Sequence, residues 1–256
     1  MQTLVIERSG GVCSVTLNRP DKKNAVNGPM WRELAQVFRE AATNAEDRVV
    51  VLSGAGGDFC AGADLGDPEA LETHPLPRMR MIGDAALALH ALPKPTVAKV
   101  DGVAVGAGCN LALGCDLVVA SDRARFSEIF AKRGLSIDFG GSWLLPRRIG
   151  LHRAKELAFF ADIIDAAEAE RIGLVNRVVP AAELDAFVAD WAARLAAGPP
   201  LALSLTKALL DDASSLSMAE ALEREAAAQA VNSTSDDGRE AVMAFLNKRE
   251  TKFTGR

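Results

Sequence analysis

The chain has 256 residues, 49% of them hydrophobic and 25% charged, and a formal net charge of -5. That length supplies one sizeable core, or a core with an appendage, and the composition is that of an ordinary globular protein. The acidic balance without a long basic run speaks against a nucleic-acid partner. The absence of an apolar stretch near the ~20 residues of a membrane span, and of a signal pattern in Met1-Gln2-Thr3-Leu4-Val5-Ile6-Glu7, leads to the expectation of a cytoplasmic protein with no membrane partner.

Residues 3–18 read as a hairpin, Leu4–Arg8 and Val12–Leu17 about a Ser9-Gly10-Gly11 turn. A helix is predicted over 29–44, where Trp31, Leu34, Ala35, Val37 and Phe38 keep helical spacing. The apolar run Val49–Leu52 predicts a buried strand, followed by a first glycine-bearing turn, Asp58-Phe59-Cys60-Ala61-Gly62-Ala63-Asp64-Leu65. Residues 66–80 hold Pro68, Pro75 and Pro77 and predict a mobile loop leading into a helix at about 81–91. Strand Thr96–Val100 enters a second glycine-bearing turn, Asp101 to Asn110, with Gly102, Gly106 and Gly108. A short helix near 107–113 and strand Asp116–Ala120 follow, then an edge at Arg125-Phe126, a Gly-rich loop at 138–142, a helix near 153–160, a strand near Asn176–Val179 and a helix over 181–197. Gly198-Pro199-Pro200 is a break. It divides a core, 1–198, from a region rich in Ala, Leu and Glu, 199–256, whose helices have too little core to stand alone. The repeated strand–turn–helix units predict an α/β fold.

The chemistry is concentrated in the two turns. Glycine lets the backbone approach a ligand closely, and a strand-to-helix turn leaves N–H groups free. Two such turns in one domain can aim two backbone donors at one oxygen, which is how an oxyanion hole is made. A dinucleotide fingerprint is not met, because Gly102, Gly106 and Gly108 lack the G-x-G-x-x-G spacing. Cys13, Cys60, Cys109 and Cys115 show no CxxC pair and read as buried, reduced small hydrophobes. His74, His90 and His152 are far apart, so no metal is expected.

Further stretches occur around these turns in a fixed order: Leu17-Asn18-Arg19-Pro20-Asp21-Lys22-Lys23-Asn24-Ala25-Val26, Leu92-Pro93-Lys94-Pro95, Gly114-Cys115-Asp116-Leu117, Phe139-Gly140-Gly141-Ser142-Trp143-Leu144-Leu145-Pro146-Arg147 and Phe245-Leu246-Asn247-Lys248-Arg249. Together with the two turns they resemble the crotonase superfamily, the enoyl-CoA hydratase/isomerase family, over nearly the whole chain. The resemblance implies a ββα spiral with a C-terminal helical trimerisation region, assembled as a homotrimer or a hexamer. It implies an acyl-CoA thioester substrate, with coenzyme A part of the substrate and no separate cofactor. The two donors would be the backbone N–H groups of Ala63 and Ala107. Substrate contacts would fall at Lys22, Ala25, Ala61, Asp64, Leu65, Phe130 and Trp143, with Phe245 and Lys248 reaching the CoA of a neighbouring copy. Asp64 and Asp116 also match positions that hold the fold.

The resemblance places the two glutamates of the hydratases at positions that here are Asn110 and Phe130, neither of which can move a proton. It places an aspartate used by certain isomerases at Asp138. Flanked by Ile137 and Phe139, Asp138 is read either as a poorly solvated proton shuttle or as the N-cap of a helix starting near Gly140. Glu128 reads as a surface or edge residue. The expected reaction is double-bond isomerisation of an enoyl-CoA through Asp138. The alternatives are an enoyl-CoA hydratase, a lyase of fatty-acid or aromatic-acid degradation, and a non-catalytic acyl-CoA-binding subunit.

Overall fold

The computed structural model describes residues 1–72 and 74–255; Thr73, within the segment expected to be a loop, lies outside them. The hairpin pairs β1 (Leu4–Ser9) with β2 (Val12–Leu17) through Gly10 and Gly11, both at positive φ as a two-residue turn requires. α1 (Gly28–Thr43) starts on Asn27, whose side chain accepts from Met30 N, and buries Trp31, Leu34, Val37 and Phe38 along one face. β3 (Val49–Gly54) follows, then α2 (Pro68–Glu72) and α3 (Pro75–His90). The expectation of a mobile loop over 66–80 is therefore corrected. Pro68 and Pro75 sit at helix starts, where a missing N–H costs nothing, so they open helices rather than forbid them.

β4 (Thr96–Val100) and β5 (Val103–Val105) meet at Gly102, and α4 (Ala107–Leu113) follows directly. Then come β6 (Leu117–Ser121), β7 (Arg125–Ser127), a single helical turn at Ile129–Arg133, α5 (Gly141–Ile149), α6 (Leu151–Phe160), β8 (Ile164–Asp165), α7 (Ala166–Arg171), β9 (Arg177–Val179) and α8 (Leu184–Ala197). β5 was absorbed into the second turn in the reading of the sequence; at three residues it is too short to show a period.

The strands form a six-stranded sheet, in order β1-β2-β3-β4-β6-β9, and a three-stranded sheet, β5-β7-β8. From β2 to β9 the larger sheet is parallel. Its central strands β3 and β4 are covered on both faces, which explains the unbroken apolar run of β3. Val50 and Leu52 point into the main core with α1, α3 and α4, whereas Val49 and Val51 point to a second core under α8. This is an α/β architecture with a helical C-terminal region, as the resemblance implies.

α9 (Pro200–Asp212), α10 (Met218–Thr234) and α11 (Asp236–Leu246) follow the Gly198-Pro199 break. Lys207 Nζ ties α9 back to Asp116 at 2.9 Å, and Arg48 donates to the Phe253 carbonyl at 3.1 Å. α10 buries only Ala228, and Leu210, Met218, Leu222, Val242, Phe245 and Leu246 are exposed. Among the described residues no helix is long and apolar enough to cross a membrane.

Candidate active site

The two glycine-bearing turns lie side by side. Cys60 N donates to Val103 O at 2.8 Å and Val105 N to Cys60 O at 3.0 Å, so the first turn pairs with β5 and carries it toward α4. On its other side Val26 makes both bonds of a parallel bridge, donating to Gly62 O at 2.8 Å and accepting from Asp64 N at 2.9 Å. That pattern leaves the N–H of Ala63, the intervening residue, pointing away from the bridge. Ala107 opens α4, where the first N–H groups have no partner within the helix.

Glycine is required where the turns touch. Gly62 has φ of +99°, and a Cβ there would lie 2.8 Å from the Val105 carbonyl oxygen and 3.9 Å from the Ala107 nitrogen. Gly106 takes φ 55° and ψ -125°, a conformation open to glycine alone, and turns β5 sharply into α4. A Cβ on Gly108 would overlap the Cys60 carbonyl.

Beside these turns opens a cavity of about 650 Å³. Its walls are mostly apolar and include Val26, Trp31, Met81, Ile82, Phe130 and Ile137. Ala63, Asp64, Leu65, Phe130 and Asp138 all line it. Ala107 is buried beside Gly62 and does not itself line the cavity. Trp31 stacks on Phe139, next to Asp138, with ring centroids 5.3 Å apart.

Asp138 does not cap α5. The N-cap residue is Gly140, and among the described residues no side chain bonds to the helix start and Asp138 Oδ1 is buried without a hydrogen-bond partner. Only the Asp138 backbone carbonyl serves the turn, accepting from Gly141 N at 2.9 Å. Phe139 (φ +48°) and Gly140 (φ +77°) are both left-handed, so the chain holds a strained backbone between the carboxylate and α5. Burial pushes the Asp138 carboxyl up to about 6, with the charge of Arg78 acting against the rise.

The expectation that Glu128 lies at the surface is corrected. It is 1% exposed, inside the fold where β7 ends, facing α4. Its Oε2 accepts from Asn110 Nδ2 at 3.3 Å, and the same amide donates to the Asp138 carbonyl at 3.1 Å. Burial lifts the Glu128 carboxyl to about 7; hydrogen bonds from Cys109 and Asn110 oppose the rise and the Asp138 charge adds to it. Short local sequence gives no sign of this, because Arg125-Phe126-Ser127-Glu128 reads as an edge and the burying partners come from α4 and α5.

The remaining residues divide. Ala61 N donates to Lys23 O at 2.9 Å, which sets the segment holding Lys22 and Ala25 along the first turn, although Lys22, Ala25 and Ala61 do not line the cavity. Asp64 accepts from Arg19 at 2.8 Å and from Gly66 N at 3.1 Å. Burial works against its charge, but these partners hold it below the usual carboxylate range. Trp143 stands apart, on α5, stacked edge-on to His90 at 5.2 Å and covered by Arg147 at 4.0 Å. It faces a different groove, so it does not wall the cavity in which Asp138 stands. Phe245, on α11, is 83% exposed, and neither it nor Lys248 reaches the cavity of its own chain.

The sequence of residues 7–256 matches the family model described as enoyl-CoA hydratase/isomerase. A Rhodobacter capsulatus protein named "Probable enoyl-CoA hydratase" is 40% identical over 255 residues, spanning 99% of this chain and 98% of its own. The 1,2-epoxyphenylacetyl-CoA isomerase of Escherichia coli is 37% identical over 261 residues, spanning the whole of both chains. The crystal structure of an enoyl-CoA hydratase from Bacillus anthracis superposes with a TM-score of 0.95 at 31% identity, covering 100% of each chain.

Proposed function

The chain belongs to the enoyl-CoA hydratase/isomerase family and is an enzyme of the crotonase type, and from that premise we propose that it moves the double bond of an enoyl-CoA thioester, with Asp138 as its proton shuttle. The observation that carries this reading is the Asp138 carboxylate. It stands in an apolar cavity beside the Ala63 turn, with one oxygen unpartnered and its pKa raised to about 6. In this reading the thioester oxygen lies against the N–H groups of Ala63 and Ala107. Asp138 takes a proton from one carbon, negative charge moves onto that oxygen as the enolate forms, and the proton returns to a second carbon. No atom is gained or lost. A general base near neutrality needs a pKa raised in this direction.

Asn110 and Phe130 occupy the two positions at which a second carboxylate would activate water, and Asn110 spends its amide on Glu128 and on the Asp138 carbonyl. The relatives named hydratases keep hydration as the competing outcome. Assaying wild type and Asp138→Asn on 3-enoyl-CoA and 2-enoyl-CoA decides between them. The isomerase reading expects wild-type isomerisation that collapses in Asp138→Asn. Full isomerase activity in that variant, or fast hydration of crotonyl-CoA by the wild type, overturns it.

The reading extends to the assembly. A body of residues 1–198 carries the site, and the helices of 199–256 join copies into a homotrimer or hexamer, bringing Phe245 and Lys248 to the CoA portion held by a neighbour. CoA enters as part of the substrate, no separate cofactor is used, and the enzyme works in the cytoplasm. The exposed apolar residues of α10 and α11 support the assembly. Light scattering checks it, and a mass of 27.0 kDa at micromolar concentration refutes it.

A further inference from the structure

We propose that Glu128 is a positioning residue of this enzyme: through Asn110 it holds the 138–141 turn, and with it the Asp138 carboxylate, in working position. The proposal rests on the Asp138 reading above.

The connection is continuous. The Asn110 side chain is buried in the middle of α4, and its Nδ2 donates at 3.3 Å to Glu128 and at 3.1 Å to the Asp138 carbonyl. That carbonyl also receives Gly141 N. Gly141 lies so close over Asn110 that a Cβ there would overlap the amide, so the turn rests directly on it. One NH2 group thus joins β7's end to the left-handed Phe139-Gly140 turn. A buried carboxyl is an expensive way to fill space, and Glu128 Oε1 gains no partner among the described residues. Packing alone would be served better by a leucine. What a carboxyl adds is an acceptor for Asn110.

The pairing also gives a reason for Asn110. A glutamate there would face Glu128 at hydrogen-bonding distance inside the core, and two carboxylates so placed cannot both ionise. Asparagine supplies donors to both neighbours without a charge.

The groups facing this pair are few. The Cys109 thiol of α4 hydrogen-bonds to Glu128, and Asp138 lies within its electrostatic reach. Arg78 of α3 acts on Asp138 from across the cavity. Both carboxyls are raised by burial, and the Asp138 charge adds to the rise at Glu128.

The test is the pH dependence of kcat and KM on 3-enoyl-CoA for wild type, Glu128→Leu, Glu128→Gln and Asp138→Asn. Glu128→Leu removes the acceptor; a misplacement on the order of 1 Å costs about 100-fold, so kcat is expected to fall between about 10- and 100-fold with KM little changed. Glu128→Gln keeps an acceptor oxygen and recovers most of that loss, but it lacks the Glu128 ionisation at about 7 that sits against the Asn110 link, so its kcat rises with pH through the Asp138 ionisation alone. A folded Glu128→Leu with wild-type kcat and pH profile overturns the proposal. Should the leucine variant not fold, Glu128→Gln decides: a pH profile unchanged from wild type overturns it. Asp138→Asn keeps the two ideas apart. Full activity in Asp138→Asn removes the base assignment itself. Lost activity there, with Glu128 variants behaving as wild type, removes only the positioning role.

Discussion

Replacing Gly62 by alanine tests whether the contact between the two turns sets the chemistry. The new methyl carbon would stand 2.8 Å from the Val105 carbonyl oxygen, several tenths of an ångström inside ordinary contact, and 3.9 Å from the Ala107 nitrogen. Both neighbours are backbone, so relief requires one turn to move against the other. Complete loss of a backbone or side-chain donor to an oxyanion costs about 2.7–4 kcal/mol. A displacement of this size forfeits part of that, and at about 1.36 kcal/mol per tenfold the expected fall in kcat is roughly 10- to 100-fold. Stability falls as well, by about 1–3 kcal/mol, because alanine does not favour a φ of +99°. Gly57→Ala is the control. It carries the same backbone penalty at φ +83°, but its Cβ would meet only the end of the Arg123 side chain, at 3.5 Å. Turnover on enoyl-CoA and urea denaturation are measured for both. Similar losses of stability with a fall in kcat confined to Gly62→Ala support the reasoning; a Gly62→Ala enzyme with wild-type kcat refutes it.

In the proposed reaction Asp138 acts as the ionised base, and burial raises its pKa to about 6, so the wild-type isomerase rate is expected to rise with pH through that value; a rate already at its plateau near pH 4 would contradict this. Glu128, raised from 4.5 to about 7, favours its neutral form in the folded state. Its contribution to stability is therefore complete below the unfolded pKa and is lost as pH rises through about 7. Relative to Glu128→Gln, wild type should lose about 3 kcal/mol between roughly pH 4 and pH 8, read by denaturant unfolding. Asp116 accepts from Thr96 N at 2.8 Å, Thr96 Oγ1 at 2.9 Å and Lys207 Nζ at 2.9 Å, and Lys207 is largely buried. Asp116→Ala leaves that ammonium without its counter-charge, holding only the Lys94 carbonyl at 3.2 Å, and should cost about 3 kcal/mol, whereas a loss below about 0.5 kcal/mol would place the residue among ordinary surface positions.

Where local pattern and tertiary fate agree, the chain was legible. The hairpin and α1 follow from turn residues and periodicity, and β3 and β4 from short apolar runs that suit strands buried on both faces. Gly62 and Gly108 mark the two turns because close backbone approach leaves no room for another residue type, and Gly106 does so because its φ of 55° and ψ of -125° suit glycine alone. The prolines of 66–80 misled, since proline marks a helix start as readily as a break. Asp138 stands out through the resemblance, with its apolar neighbours in support, and the Gly140 cap removes the alternative in which its side chain caps α5. Glu128 stayed hidden because its burial is made by residues far away in sequence, on α4 and in the turn before α5. Trp143, expected at the cavity, sits instead on α5, which contributes no side chain to the lining of that cavity, and packs on His90 beside a different groove.

The N–H groups of Ala63 and Ala107 belong to the main chain, and that has a consequence for heredity. Any residue except proline at either position carries the same donor. A substitution there changes bulk but leaves the hydrogen in place, provided Gly62 and Gly106 keep the path of the chain. Side chains at 110, 130 and 138 have no such protection, and one codon change at any of them alters which protons can move. If the proposed seat for the thioester oxygen is correct, random mutagenesis of this gene should sample new fates for a bound thioester far more readily than it destroys that seat.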